Sequence, residues 1–216
     1  MPPAGASVFI VDDHSFFRAG LRSLLSEHGF PVVGEAETGE AALALIERRR
    51  PDVVVMDLSM PGMSGVEATR ELRKRFPSVA VLVVTVSAGE GDVLDALEAG
   101  AAGYLLKDSG PEEIVRALRA ALDGDTPLSP RVAGLIVERT RRTRGGEVAA
   151  GAAEQLSARE LEVLRLLAEG LDNNQIGLRL YLSPTTVKRH VSAIFSKLGV
   201  SNRVQAAIWA VRAGLL

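Results

Sequence analysis

Five residues in the first half of the chain, Asp12, Asp13, Asp57, Thr85 and Lys107, each follow or close a short apolar run. The runs are Ser7–Val11, Val53–Met56, Ala80–Val84 and Gly103–Leu106. If these are parallel strands, their carboxyl ends share one edge and three carboxylates converge there. Like charges held that close repel, and a divalent cation relieves them. An all-oxygen cluster suits magnesium, which binds through one or two carboxylates plus phosphate oxygens and waters. Thr85 could donate its hydroxyl to a phosphoryl oxygen and Lys107 supply a mobile positive charge. An aspartate nucleophile, a metal, a hydroxyl and an ammonium together describe a phosphoryl-accepting site. Singly, each has a plainer role, as a helix N-cap, a strand threonine or a surface lysine. Their recurrence at successive strand ends favours the chemical reading.

The elements that must position them follow from two alternating periodicities. Between the apolar runs lie amphipathic stretches, Phe16–Leu25, Glu40–Arg49, Gly65–Arg75, Asp92–Ala99 and Glu112–Leu122. Leu21, Leu24 and Leu25 show the helical spacing, as do Val93, Leu94 and Leu97. Gly29 and Gly100 stand where helix C-caps are expected. Pro31–Gly34 is a weaker strand candidate. Alternation repeated about five times predicts a parallel α/β sheet with right-handed crossovers and helices on both faces. Ligands on such sheets bind at the carboxyl ends of the strands.

The character changes after Leu122. The chain divides into residues 1–124, a partly helical and Arg-rich linker over 125–153, and an all-helical unit over 154–216. Arg131–Arg144 predicts one basic helix, and the small, flexible Gly145–Ala153 places the linker proper around Thr140–Ala153. Arg139, Arg141, Arg142 and Arg144 could make non-specific phosphate contacts. Ser157 and Glu160 form a capping-box pattern before an apolar run. Asp172 caps a second helix, and Ser183-Pro184 opens a third that runs to Leu198. Gly199 closes it, and Ser201 caps a fourth that runs to about Ala213. Two short helices joined at Tyr181-Leu182-Ser183 predict a helix-turn-helix. Val187, Val191, Ile194 and Leu198 share its core face, while Thr185, Lys188, Arg189 and Ser192 point away toward phosphates and base edges. A solvated basic helix face is the plainer reading of those four. His190 flanks the core, and with no second ligand near it, packing or phosphate contact is favoured over metal.

The bulk numbers agree. Of 216 residues, 47% are apolar and none is cysteine, which excludes disulfides and thiolate metal sites. No secretory signal or membrane span is evident, so a soluble, cytoplasmic protein is expected. The net charge of −2 hides an asymmetry: residues 1–124 hold 19 acids and 12 bases, residues 125–216 hold 8 acids and 13 bases. An acidic half joined to a basic half points to nucleic acid on the second.

Val11-Asp12-Asp13-His14, Met56-Asp57-Leu58-Ser59-Met60-Pro61-Gly62, Val84-Thr85 and Leu105-Leu106-Lys107-Asp108 resemble the receiver domain of bacterial response regulators. The resemblance covers roughly Ser7 to Leu122. It implies a flavodoxin-like fold and phosphorylation of Asp57 by a partner histidine kinase. It also implies Mg2+ held by Asp13, Asp57 and the Ser59 backbone carbonyl, with Asp12 shaping the metal site and Thr85 and Lys107 on the phosphoryl group. Tyr104 matches the aromatic switch residue that moves inward with the threonine hydroxyl, although a half-buried strand aromatic would look the same. Ser64 stands where many relatives have Asp.

Leu156–Ala213 resembles the four-helix DNA-binding domain of the LuxR family, through Leu156-Ser157-Ala158-Arg159-Glu160, Leu166–Gly170, Leu182–Lys188, His190-Val191 and Lys197–Val200. With the receiver, this is similar to the NarL/FixJ subfamily. The DNA contacts implied are Ser183, Thr185, Thr186, Lys188, Arg189, His190 and Ser192. The last helix, with Val204, Ile208 and Val211, would form the homodimer contact on two half-sites of duplex DNA. Asn174, Gln175 and Gly177 depart from the pattern, the glycine costing that helix roughly 0.5–1 kcal/mol.

The expected function is therefore a two-component regulator in which Asp57 phosphorylation controls DNA binding and transcription, not an enzyme beyond its own phosphorylation and dephosphorylation. A phosphatase would want a second aspartate where Ser59 stands. A sensor of an apolar signal would want an aromatic-lined pocket. A receiver that works without phosphate is the remaining alternative.

Overall fold

The computed structural model describes residues 5–129, 132 and 156–215, with residues 211 and 212 described by backbone alone. Five strands, β1 (Val8–Val11), β2 (Val32–Ala36), β3 (Val53–Met56), β4 (Ala80–Thr85) and β5 (Gly103–Leu106), form one parallel sheet in the order β2-β1-β3-β4-β5. Every residue of β1, β3 and β5 is buried, as near-continuous Val/Ile/Leu runs covered on both faces must be. Helices α1 (Ser15–Glu27), α2 (Gly39–Arg49), α3 (Gly65–Arg75), α4 (Glu90–Glu98) and α5 (Pro111–Asp123) cover those faces. One core lies under α1 and α5, with Ile10, Leu25, Val55 and Leu118, and another under α2 and α3, with Phe9, Ile46, Met56 and Leu72. The expected doubly wound α/β fold is therefore the one observed. The Pro31–Gly34 run reads weakly because β2 is the sheet edge and only half buried.

The residues after α5 do not leave the sheet at once. Tyr104 N donates to the Pro127 carbonyl at 2.9 Å and Ser129 N to the Tyr104 carbonyl at 3.1 Å, so the start of the expected linker lies along the β5 edge. Gly103 makes this approach possible, because a Cβ there would come within 2.7 Å of the Pro127 ring. The predicted basic helix Arg131–Arg144 and the segment Thr140–Ala153 lie outside the described residues, Val132 excepted.

The remaining helices are α6 (Ala158–Ala168), α7 (Asn173–Leu180), α8 (Pro184–Leu198) and α9 (Arg203–Arg212). They share a core of Val163, Leu164, Leu167, Ile176, Val187 and Ile194. The capping box of Ser157 and Glu160 forms as its spacing predicts. Asp172 caps α7 in a second box, with the Gln175 amide oxygen accepting from the Asp172 backbone, so the departure expected at Gln175 keeps the cap. Gly177 has a role that helix propensity conceals. A Cβ there would lie 2.6 Å from the Leu182 carbonyl oxygen, so its absence lets the turn close on α7. The cap of α9 differs from expectation: Asn202, not Ser201, accepts from the Gln205 amide at 2.9 Å. Ser201 instead donates its own amide to the Gln205 side chain.

Candidate functional site

Parallel register brings the carboxyl ends of β1, β3, β4 and β5 together, and the chemical residues sit where those strands stop. Asp57 is 1% exposed and Asp12 2%, and Thr85 is fully buried beside them. Lys107 joins the group from β5, with Nζ 2.6 Å from Asp12 Oδ2 and 2.7 Å from Asp57 Oδ2. Burial pulls the Lys107 ammonium toward neutrality, but hydrogen bonds and charge from Asp12 and Asp57 win, and its pKa stands above the ordinary lysine value. Its ammonium also lies 4.7 Å from the centre of the Phe17 ring, a cation–π distance.

The backbone that holds Asp57 is set by the loop between β3 and α3. Ser59 N donates to Asp57 Oδ1 at 3.2 Å, so one carboxylate oxygen of Asp57 is oriented by its own loop. Ser64 caps α3 in a full box with Glu67. Hydrogen bonds from Ser64 hold the Glu67 carboxyl below the usual glutamate range. Glu40 on α2 accepts from Met63 N at 2.9 Å and pins the same loop from outside. Gly65 lets α3 start against the strand: a Cβ there would fall 1.9 Å from the Asp57 carbonyl oxygen.

Two participants carried no clear sequence signal. Arg18 on α1 is buried, donates to the Asp12 carbonyl at 2.5 Å and pairs with Glu37 at 2.6 Å, fixing the loop after β1. His14 is the N-cap residue of α1, but its side chain makes no cap hydrogen bond. Its Nδ1 stands 2.8 Å from Asp13 Oδ1. One ligand atom from each of Asp12, Asp13, His14 and Asp57 can be chosen so that all lie within 4.8 Å of one another, a group that could hold a metal ion. Asp13 Oδ1 is shielded from solvent and accepts no hydrogen bond among the described residues. Carboxylates gathered this closely repel one another unless a cation lies among them, so the residues present fit a divalent metal.

Tyr104 is fully buried, and its hydroxyl donates to the Ser87 carbonyl at 3.0 Å. Burial first, then the charges of Asp92 and Asp57, raise its pKa. The aromatic expected to move inward is already inside in this structure, and Thr85 Oγ1 accepts from Ser87 N at 3.4 Å in the same loop.

In the helical unit, Ser183 caps α8, accepting from Thr186 N at 3.1 Å. Thr185, Lys188, Arg189 and Ser192 are exposed, Thr186 and His190 half-buried, and Val187, Val191 and Ile194 buried as their spacing predicts. Lys188 is not free: its ammonium donates to the Leu122 carbonyl at the end of α5, at 2.6 Å. Further contacts join the two units. Asn173 donates to the Asp123 carbonyl at 2.9 Å, and Asn202 and Gln205 both donate to the Leu97 carbonyl at 2.7 Å. Arg203 pairs with Asp125 at 3.2 Å and also donates to the Leu171 carbonyl. Val204, expected at a dimer face, packs here against the cluster of Val93, Leu97 and Tyr104. Ile208 is half-buried, and the Val211 side chain lies outside the described residues.

Comparison with known proteins bears on both units. Residues 8–119 match the family of the response regulator receiver domain, and residues 154–210 match the bacterial regulatory proteins of the luxR family. The chain is 42% identical to the transcriptional regulatory protein LiaR of Bacillus subtilis, covering 95% of this chain and 96% of that protein. It is 39% identical to the nitrate/nitrite response regulator NarL of Escherichia coli K12, over 94% of each. Among solved structures, the response regulator ChrA of a heme-sensing two-component system is similar over 99% of this chain and all of that one, with a TM-score of 0.54 and 39% identity. RcsB of Salmonella enterica serovar Typhimurium, bound to promoter rprA with the phosphomimetic BeF3−, is similar over 98% of this chain and all of that one, with a TM-score of 0.58 and 28% identity. The acidic pocket, the helix-turn-helix and relatives matched along nearly their whole length agree: the chain belongs to the two-component response regulators of the NarL/FixJ type, with a receiver domain and a LuxR-type DNA-binding domain.

Proposed function

We propose that Asp57 is the phosphoacceptor and that its phosphorylation by a histidine kinase releases the second domain to bind DNA as a homodimer in the cytoplasm. The observation that carries this reading is the placement of Asp57, buried at a strand end with Lys107 2.7 Å away. One carboxylate oxygen attacks phosphorus while the bond to the donor breaks and the donor leaves with that electron pair. Attack by water later returns aspartate and phosphate, which is the only turnover assigned to the protein. Lys107 pairs with a developing phosphoryl oxygen, and the Thr85 hydroxyl donates to another. Asp13, Asp57 and the Ser59 carbonyl, beside Asp12, would hold Mg2+, which would neutralise charge on the incoming phosphoryl group. An apolar groove of about 330 Å³ between α1 and α5, lined by Phe16, Leu24, Pro111 and Ile114, also reaches Lys107. Phe16 is 93% exposed there, which supports docking of the kinase beside the acceptor.

The contacts between the domains support autoinhibition. Lys188, a residue assigned to DNA, is spent on a receiver carbonyl, and Val204 of the dimer helix is covered by α4. A phosphoryl group draws Thr85 and its loop, and α4 follows that loop. Ser183, Thr185, Thr186, Arg189, His190 and Ser192 complete the proposed DNA surface, with Ile208 and Val211 at the dimer contact. The test is intact-mass spectrometry after incubation with acetyl phosphate and Mg2+, followed by light scattering. The wild type should gain the mass of one phosphoryl group and dimerise, and Asp57→Asn should do neither. Equal modification of the variant would reject Asp57 as acceptor.

A further inference from the structure

Lys107 approaches Asp57 with an aromatic ring against its ammonium, a contact that phosphoryl chemistry does not itself require. We propose that Phe17 is a positioning residue of this pocket: the face of its ring holds the Lys107 ammonium beside Asp57 and so speeds phosphoryl transfer to that carboxylate. The inference rests on Asp57 and Lys107 acting as proposed above and names the group that keeps the lysine in place.

Three observations carry it. Lys107 Nζ lies 4.7 Å from the centre of the Phe17 ring, well inside the roughly 6 Å over which a ring face attracts a cation. The Lys107 side chain is only 11% exposed, so little water screens the attraction, and such contacts are strongest when desolvated. Finally, the ring is itself held. Phe17 packs against the core under α1 and α5, and the next residue, Arg18, donates to the Asp12 carbonyl and ties the start of α1 to the end of β1. Phe16, one place earlier, is 93% exposed, so of the two adjacent rings one is given to solvent and one to the lysine.

Chemistry explains why a ring serves here better than a third carboxylate. A lysine ammonium has three N–H donors, and Asp12 and Asp57 take two of them. An aromatic face attracts the charge without binding the remaining donor as tightly as a carboxylate would, which leaves that N–H for a phosphoryl oxygen. The attraction also tolerates movement: Nζ can shift by about 1 Å toward a phosphoryl group and stay within reach of the ring. The lysine stem is flexible, and leucine in place of Phe17 would fill much of the same space without restraining the charge.

The test is the rate at which acetyl phosphate and saturating Mg2+ phosphorylate the full-length chain, followed by intact mass. It compares the wild type, Phe17→Tyr, Phe17→Leu and chains with mono-, di- or trifluorinated phenylalanine in place of Phe17. Fluorine drains the ring face and weakens its hold on a cation step by step while the size of the ring hardly changes. The rate should fall with each fluorine, by about two- to tenfold over the series. Phe17→Leu should match the slow end and Phe17→Tyr the wild type. In the unphosphorylated protein, the methylene protons beside the Lys107 ammonium, assigned with Lys107→Arg, should resonate upfield under the ring and lose that shift in Phe17→Leu. A rate indifferent to fluorine, or no upfield shift in the wild type, would overturn the proposal; a slow Phe17→Leu without the fluorine trend would reduce Phe17 to packing. Equal modification of Asp57→Asn would reject the acceptor itself and the inference with it, whereas a flat fluorine series in a chain modified only at Asp57 rejects the part given to Phe17 alone.

Discussion

Lys107 bridges Asp12 and Asp57 at 2.6 and 2.7 Å, so its ammonium offsets part of the negative charge the two carboxylates bring. The proposed phosphorylation of Asp57 would give it a new partner with more charge, and the Asp12 contact would then compete with the phosphoryl contact. That these side chains meet at one sheet edge was legible in the sequence because each ends an apolar run. Residues that hold the backbone were less so. Arg18 looks like a surface arginine of an amphipathic helix until the fold buries it on the Asp12 carbonyl. His14 reads as a loop residue because an N-cap histidine carries no spacing signal. Gly65 is the sharpest case of backbone control. With 1.9 Å between a Cβ and the Asp57 carbonyl, Gly65→Ala must displace either the strand end or the start of α3. It should lower receiver stability by about 2 kcal/mol or more, read from urea denaturation, and slow phosphorylation of Asp57.

At the level of elements, helix caps that obey local patterns proved readable from the chain, and those that depend on competition did not. Ser157 with Glu160 and Ser183 with Pro184 follow their patterns. Asn202 rather than Ser201 caps α9, because the helix begins at Arg203 and Asn202 is the residue before it. Glu160 does more than cap: it is buried and its carboxylate accepts from Lys197 at 2.7 Å. The Lys197 hydrogen bond first, then the Ser157 amide, hold its pKa at about 2, below the ordinary 4.5. A carboxyl depressed on folding contributes stability that is complete above the ordinary value and is lost as pH falls through the folded one. The DNA-binding domain should therefore lose stability between about pH 4.5 and 2. Glu160→Gln should flatten that loss and cost roughly 1–3 kcal/mol at neutral pH, measured by thermal denaturation across pH.

For the whole molecule, the docking of the two domains is the feature least legible in the sequence. Its acceptors are mostly backbone carbonyls at the ends of α4 and α5, and a carbonyl leaves no mark on residue identity. The charge asymmetry was readable and has a local counterpart, the pair of Asp125 with Arg203. Burial pushes the Asp125 carboxyl up and the Arg203 guanidinium down, so each depends on the other to stay charged. Asp125→Ala would leave Arg203 buried without its partner and favour separation of the domains. Coupling of about 1–3 kcal/mol is typical of such switches. The unphosphorylated variant should bind non-specific duplex DNA about five- to tenfold more tightly than the wild type at low salt, by fluorescence anisotropy.

Occupancy of Asp57 should open this contact, and the chain's lack of cysteine makes the opening directly measurable. Arg116→Cys on α5 and Leu178→Cys on α7 provide exposed and unique labelling positions, one in each domain. Spin labels at both would be followed by pulsed electron resonance with Mg2+, before and after beryllium fluoride, with Asp57 intact and with the added substitution Asp57→Asn. Where Asp57 is intact, beryllium fluoride should give a longer and broader distance distribution. Where Asp57→Asn removes the carboxylate that holds beryllium fluoride, the distribution should stay as it was. An unchanged distance with Asp57 intact, and with beryllium fluoride shown to be bound, would contradict release of the DNA-binding domain by occupancy of the acceptor.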